Sequence, residues 1–438
     1  MGIDALERFT KLSEKLKSPT EREEFSREDI KCINEALQNI TTHEDDLKLA
    51  YELLRCLRNS CVHSCKNQNL IVNANVLSTF GSFVEILMSL ETSRAVKNKD
   101  LYQKLTSISI QFLGNLVVQN KRSQDAVWKT AFPKLFFSMM SNLGVKEKDI
   151  LCMVVYNCVR SRTEIYNTSD EYWFMISILE YCTEYEDAEW GLLIMEWIIS
   201  SPSFMKFYKE LQDYPALRCS LLEFASVQLS TDNSTFSGIE EEFMLYLCDE
   251  FSTKSTCILR LASALSPELE EEAGLLLKVL RLLSITTSCF DKYQKVRHHQ
   301  NLLNSAITML KQKQIANEGK KNEESKEQLP KEHPFVTFEK DLVRVISNMA
   351  YKNLNIQNQI RNAGGIEVLL NACNIDDSNP FIMQWAIFGI KNVCYENQAN
   401  QQYIETLQQQ GLASNEFLKD NKIDCRLENG KIKMTSLQ

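Results

Sequence analysis

Apolar residues recur along most of the chain at spacings of three and four, which is the signature of amphipathic helices. Leu342, Val345, Ile346, Met349 and Ala350 lie on one such face. Ile356 and Ile360 predict a short helix that stops at Gly364-Gly365, where glycine turns the chain without a steric penalty. Ile366, Leu369, Leu370 and Cys373 form a second stripe, and Asn379-Pro380 reads as a helix N-cap with proline in the first turn. A third stripe follows with Ile382, Trp385, Ala386, Gly389 and Val393. Leu370 and Trp385 are expected to be buried between adjacent helices. In the tail, Ile423, Cys425 and Leu427, then Ile432 and Met434, alternate around Asn429-Gly430, predicting a small hairpin.

The helical pattern repeats. An asparagine is followed nine residues later by glutamine, and three further on by isoleucine or valine, in four segments: Asn59, Gln68, Ile71; Asn115, Gln124, Val127; Asn348, Gln357, Ile360; and Asn392, Gln401, Ile404. Three of the four carry a further asparagine five after the first, at Asn120, Asn353 and Asn397, and Ser64 takes that place in the other. Asn348 and Asn392 stand 44 residues apart, inside the ~40–47 of HEAT and armadillo repeats. Asn157 reads as a decayed repeat without its glutamine. The expected fold is therefore all-α, an armadillo/HEAT-like α-solenoid wound as a right-handed superhelix with a concave groove. The expected division is an N-terminal helical lobe over 1–310, divergent from about 150, and a charged linker over 311–334. C-terminal repeats over 335–420 and a hairpin tail over 421–438 complete it. The linker is drawn at KQKQIANEGKKNEESKEQLPKEHP, which has almost no apolar residue.

Composition narrows the function classes. There are 13 Gly and 8 Pro in 438 residues, about 3% and 2% against the usual ~7% and ~5%, too few for a turn-rich β fold or a glycine-looped enzyme. The net charge of −9 disfavours nucleic acid as a default partner. No apolar run reaches membrane-spanning length, so membrane insertion is not expected. The start MGIDALERF has no apolar signal core, and 14 scattered Cys fit a reducing, cytosolic setting.

Candidate chemistry is sparse. No phosphate loop, GxSxG elbow or HExxH motif is present, and 5 His supply few general bases, so neither an enzyme nor a cofactor is expected. Cys56, Cys61, His63 and Cys65 resemble a zinc set, but one continuous helix would hold His63 away from Cys61 and Cys65, so no metal is expected. His298-His299 reads as a solvated helix end. Glu240–Glu242 reads as a solvated acidic face, with a docking patch for a basic partner as the sharper reading. Asn59, Asn115, Asn348 and Asn392 have two available roles: bonding an extended peptide in the groove, or capping and bridging helices inside the solenoid. Peptide-binding arrays often place tryptophan one turn earlier. Here Arg55, Gln111, Arg344 and Phe388 stand there, which favours the structural role. Ser200-Ser201-Pro202 fits a docking motif for polo-type kinases once Ser201 is phosphorylated, and equally a helix start.

RCLRNSCVHSCKNQN (55–69), QFLGNLVVQNKRSQDAVWKTAFPKLF (111–136) and the stretch from LVRVISNMAYKN through DDSNPF to GIKNVCYENQANQQYI (342–404) resemble the ataxin-10 family of armadillo-like proteins. The resemblance implies a non-enzymatic scaffold, cytoplasmic and perinuclear, linked to neuron survival, neurite outgrowth and cytokinesis, with the midbody or centrosome as a further location. It also implies a heterotrimeric G-protein β subunit and the O-linked N-acetylglucosamine transferase as partners; a homo-oligomer is a separate expectation. The alternatives are an importin-like cargo adaptor and a regulatory subunit that modulates a glycosyltransferase or kinase.

Overall fold

A computed structural model describes residues 2–92, 98–162, 168–231, 238–261, 267–320, 334–373, 381–407, 423–428 and 431–436. The described residues form helices throughout, apart from one antiparallel strand pair. Two compact units emerge, Met1–Ser203 and Phe204–Gln438.

The first unit holds α1 (Gly2–Lys15), α2 (Pro19–Glu24), α3 (Arg27–Gln38), α4 (Glu44–Ser60), α5 (Cys65–Asn73), α6 (Val76–Thr92), α7 (Lys99–Val117) and α8 (Lys121–Ala131). It continues with α9 (Lys134–Asn142), α10 (Val145–Val159), α11 (Ser169–Glu184) and α12 (Glu189–Ile199). Its long helices stack in series, α1 on α4, α4 on α7, α7 on α10 and α10 on α12, while α3, α6 and α9 form a second row. This is the α-solenoid that the apolar periodicity predicts: each helix buries its stripe against the next repeat and has no complete core of its own.

The second unit holds α13 (Phe204–Glu210), α14 (Pro215–Ser230), α15 (Glu241–Lys254), α16 (Thr256–Leu261), α17 (Pro267–Thr286), α18 (Gln294–Arg297) and α19 (Gln300–Lys320). After these come α20 (Pro334–Ala350), α21 (Leu354–Asn362), α22 (Gly365–Asn371), α23 (Ile382–Cys394) and α24 (Gln398–Thr406), then β1 (Ile423–Glu428) and β2 (Lys431–Ser436). Here α14, α17, α20 and α23 stack in series. Gly364 has φ of 72°, as the predicted turn requires, and the strands pair Cys425 with Met434 and Leu427 with Ile432. A Cβ at Gly389 would collide with Ser347 Oγ, so α20 and α23 approach too closely for any side chain there.

Three expectations shift. Leu342, Val345, Ile346, Met349 and Ala350 are all buried, but Leu370 and Trp385 are only half-buried, and Leu369 fills the core position beside Leu370. The expected linker does not separate two lobes. Helix α19 runs to Lys320, Gln314 Nε2 donates to the Val368 carbonyl at 2.9 Å, and Lys313 lies 3.9 Å from the Glu339 carboxylate. The first residues of the expected linker, 311–320, thus continue α19, which packs directly on α20. Residues 321–333, and the Asn379-Pro380 cap, lie outside the described residues. The third shift concerns the cysteines: α4 ends at Ser60 and α5 starts at Cys65, so Cys61 and Cys65 do not share a helix.

Leu369→Ala should cost about 2–5 kcal/mol in denaturant melts as a cavity-forming change, and the half-buried Leu370→Ala distinctly less. Equal costs would place the core face of α22 wrongly.

Candidate functional site

The repeat asparagines form a polar ladder between successive helices. Asn59 Nδ2 donates to the Ser13 carbonyl at 2.8 Å, and Asn115 Nδ2 to the Arg58 carbonyl at 3.0 Å. Asn348 Nδ2 donates to the Ser284 carbonyl at 3.2 Å and to Thr287 Oγ1 at 3.3 Å, and Asn392 Nδ2 to the Ser347 carbonyl at 2.9 Å. In two steps the acceptor directly precedes the asparagine of the preceding repeat: Arg58 before Asn59, and Ser347 before Asn348. The amide therefore reaches the second lone pair of a helical carbonyl one repeat back. Asn157 occupies the same rung in α10, but its Nδ2 turns to its own Met153 carbonyl at 2.9 Å.

The other repeated positions complete the circuit. Four after each asparagine, His63, Gln119, Lys352 and Glu396 adopt φ of 51–53° and turn the chain out of the long helix. One residue on, Ser64, Asn120, Asn353 and Asn397 cap the short helix that follows, accepting from the backbone N–H three residues later at 3.1–3.3 Å. Two of the glutamines then reach forward, while Gln124 and Gln401 donate at 2.8 Å to the Val117 and Cys394 carbonyls of their own repeats. Gln68 Nε2 donates to the carbonyl of Asn115 at 2.8 Å, and Gln357 Nε2 to that of Asn392 at 2.9 Å. Their Oε1 atoms accept from Asn120 Nδ2 at 3.0 Å and Asn397 Nδ2 at 3.1 Å. Asn120, Asn397, Gln68 and Gln357 are thus satisfied by the adjacent repeat, as burial demands, whereas the buried Nδ2 of Asn353 finds no partner among the described residues.

The faces beside this ladder are charged and aromatic. Arg55 pairs with Glu52 at 2.9 Å and with Glu14. Hydrogen bonds from Lys17 and then Arg55 hold the Glu14 carboxyl below the usual carboxylate range. Next to them Thr10, Lys48, Tyr51, Asp100 and Lys104 line a cavity of about 380 Å³ between α1, α4 and α7. Across α17, α20 and α23, Asp341 Oδ1 lies 3.2 Å from Arg281 and 3.4 Å from Arg344. The Arg344 guanidinium sits 4.8 Å from the Trp385 ring, and Trp385 meets Phe388 edge to face at 5.9 Å. Desolvation lowers the pKa of Arg344. Sequence reasoning marked Arg344 and Phe388 as replacements for tryptophan and assigned Trp385 to the core, but missed Asp341 and the aromatic role of Trp385. Both stand seven residues before a repeat asparagine, a spacing that would have found them.

The remaining candidates are placed differently. Ser201 is buried, and its Oγ accepts from the Ser203 N–H at 3.0 Å, which closes the turn between α12 and α13. Ser200 caps α12. Phosphorylation of Ser201 would require that turn to open. Cys56 and Cys61 are buried, and desolvation pushes both thiols up, whereas Cys65 is exposed. Among the described residues no group of three or more potential metal ligands converges. His299 Nδ1 accepts from the Leu302 N–H at 3.2 Å and so caps α19. Glu241 accepts from the Lys295 N–H at 2.7 Å, and Glu242 pairs with the Lys295 ammonium at 3.2 Å, so two of the three acidic residues are already partnered. No single described helix is long and apolar enough to cross a membrane.

Asn392→Ala should cost about 1–3 kcal/mol, because it orphans a buried bridge between helices. Asn157→Ala should cost less than about 1 kcal/mol, since its amide serves only its own helix. Paired urea melts of the two variants check the contrast.

Two family models match the chain: the Spinocerebellar ataxia type 10 protein domain over residues 338–435, and the BEM4 N-terminal domain over residues 4–181. Ataxin-10 of Xenopus tropicalis is 29% identical over 402 residues, covering 89% of this chain and 81% of the relative. Ataxin-10 of Homo sapiens is 28% identical over 383 residues, covering 85% and 79%. A Dictyostelium discoideum ataxin-10 homolog is 43% identical over 101 residues, 23% of this chain and 17% of that protein. The similarity runs through both units, so this chain is similar to the ataxin-10 proteins over most of its length.

Proposed function

We propose that the chain is a non-enzymatic binding scaffold of the ataxin-10 kind. The similarity to ataxin-10 over 89% of the chain carries this reading. Its polar core supports it, because the repeated amides hold helices together rather than aim at a substrate. The proposed roles are neuron survival, neurite outgrowth signalling and regulation of cytokinesis. The proposed setting is the cytoplasm and perinuclear region, with the midbody or centrosome during division. Proposed partners are a heterotrimeric G-protein β subunit, the O-linked N-acetylglucosamine transferase and a further copy of the chain.

The importin-like alternative is disfavoured by a particular observation. A peptide groove of that kind needs tryptophan walls and free asparagine amides. Here Arg55, Gln111, Arg344 and Phe388 stand at the wall positions, and the Nδ2 atoms bond neighbouring helices. A regulatory subunit is the second reading, and the row from Arg281 to Phe388, exposed at those two ends, suits it, since a charged and aromatic face can dock on a folded enzyme.

Crosslinking mass spectrometry on endogenous complexes should recover one of the proposed partners. With that partner purified, Arg281→Ala and Phe388→Ala should each weaken binding about tenfold while lowering the melting temperature by no more than a few degrees. A measured change in the captured enzyme's activity favours the regulatory reading, and unchanged activity favours passive scaffolding. Wild-type affinity in both variants would remove this face from the account.

A further inference from the structure

The face built by α17, α20 and α23 holds more positive charge than it neutralises. Arg281 and Arg344 both turn to Oδ1 of Asp341, at 3.2 and 3.4 Å, and Ser284 Oγ donates to the same oxygen at 3.2 Å. A guanidinium offers five N–H donors, so one shared oxygen leaves most of them unused. The Arg344 Nε is buried without a partner among the described residues. On α17, Lys278 is neutralised by Glu223 at 2.9 Å. Lys391, three residues after Phe388 on the outer side of α23, is exposed and forms no ion pair among the described residues. Three cations thus face one carboxylate, in a chain whose net charge is −9. Apolar surface lies beside them: the Arg344 guanidinium covers the Trp385 ring, and Phe388 next to it is 36% exposed.

We propose that this face binds an extended acidic peptide segment of a partner protein, its carboxylates on Arg281, Arg344 and Lys391 and an apolar side chain on Phe388. The proposal rests on the docking face named above and adds the chemistry of what docks there. Charge complementarity selects the occupant. The unused guanidinium donors form planar forks that match a carboxylate, and the anion already seated between Arg281 and Arg344 is itself a carboxylate. A basic segment would meet like charge at every one of these positions. Length agrees as well. Three neighbouring helix axes stand two steps of about 8–10 Å apart, a distance that five or six extended residues cover at ~3.3–3.6 Å each. The segment is gripped by its side chains, because the amides of Asn348 and Asn392 are already engaged by the Ser284 and Ser347 carbonyls. That separates this mode from the backbone capture of an importin-like groove.

Fluorescence anisotropy on the intact chain tests this with labelled peptides of about twelve residues: one alternating Glu with Leu or Phe, its Lys-for-Glu counterpart, and one of Glu and Gly alone. The first should bind about tenfold more tightly than either of the others, and raising the salt from about 0.05 to about 0.5 M should weaken it severalfold. Arg281→Ala, Lys391→Ala and Phe388→Ala should each weaken it about five- to tenfold. Lys391→Ala removes an exposed side chain outside the Asp341 network, so it decides should Arg281→Ala loosen the fold. Equal binding of the Lys peptide, or an affinity for the Glu peptide that Lys391→Ala leaves unchanged, would overturn the proposal. If no peptide binds while a purified partner still loses affinity on Arg281→Ala, the docking face stands and the acidic occupant is refuted. If the Glu peptide binds through these residues while the partner ignores them, the acidic occupant is upheld and that partner docks elsewhere.

Discussion

A side-chain amide that reaches across to the backbone of the preceding helix is the interaction on which the stacking of this chain depends. Apolar stripes bring successive helices together, but hydrophobic burial is non-directional and leaves their axial offset loosely set. The bridge from Asn115 to the Arg58 carbonyl, and its counterpart from Asn392 to Ser347, fix that offset to one residue. The glutamine nine residues on and the asparagine cap five residues on close the same circuit from the other side. Such a buried network is stabilising only when every member is satisfied, so the spacing of all three residues is held together.

Where the ladder lapses, other polar groups hold the array. Ile285 occupies the asparagine position in α17, so this helix accepts from Asn348 at the Ser284 carbonyl without donating onward through that residue. In the divergent stretch, Arg218 and Glu250 form a buried ion pair at 2.8 Å, with the Arg218 guanidinium 4.1 Å from the Tyr208 ring. Charge pairs of this type tolerate no single loss, because the remaining partner would be stranded in a dry core. The described middle of the chain is thus held by polar pairs that follow a different residue pattern.

That difference explains what was legible in the sequence. The Asn–Gln spacing revealed the repeats because its positions answer local demands: a bridge, a left-handed turn, a cap and a glutamine bond to a backbone carbonyl. The helices of α20 to α24 and the tail hairpin were likewise readable from periodicity and turn residues. Periodicity cannot tell which residue at the edge of a stripe is covered, so Leu370 and Trp385 were placed too deep. Composition marked 311–334 as a separator, but Gln314 and Lys313 tie its first residues to neighbouring helices through single polar contacts that leave no periodic trace. The row from Arg281 to Phe388 depends on the stacking of three helices, and only the structure brings it together.

The account makes the chain a stacked binding scaffold whose repeated polar residues are structural. A double-mutant cycle on Gln357→Ala and Asn397→Ala, followed by equilibrium unfolding, tests this most directly. The two amides meet across adjacent repeats at 3.1 Å. The account predicts a coupling energy of about 1 kcal/mol or more, inside the range for residues that share one network. Strict additivity of the two losses would contradict it, and would leave the repeated asparagines and glutamines without the structural role assigned to them.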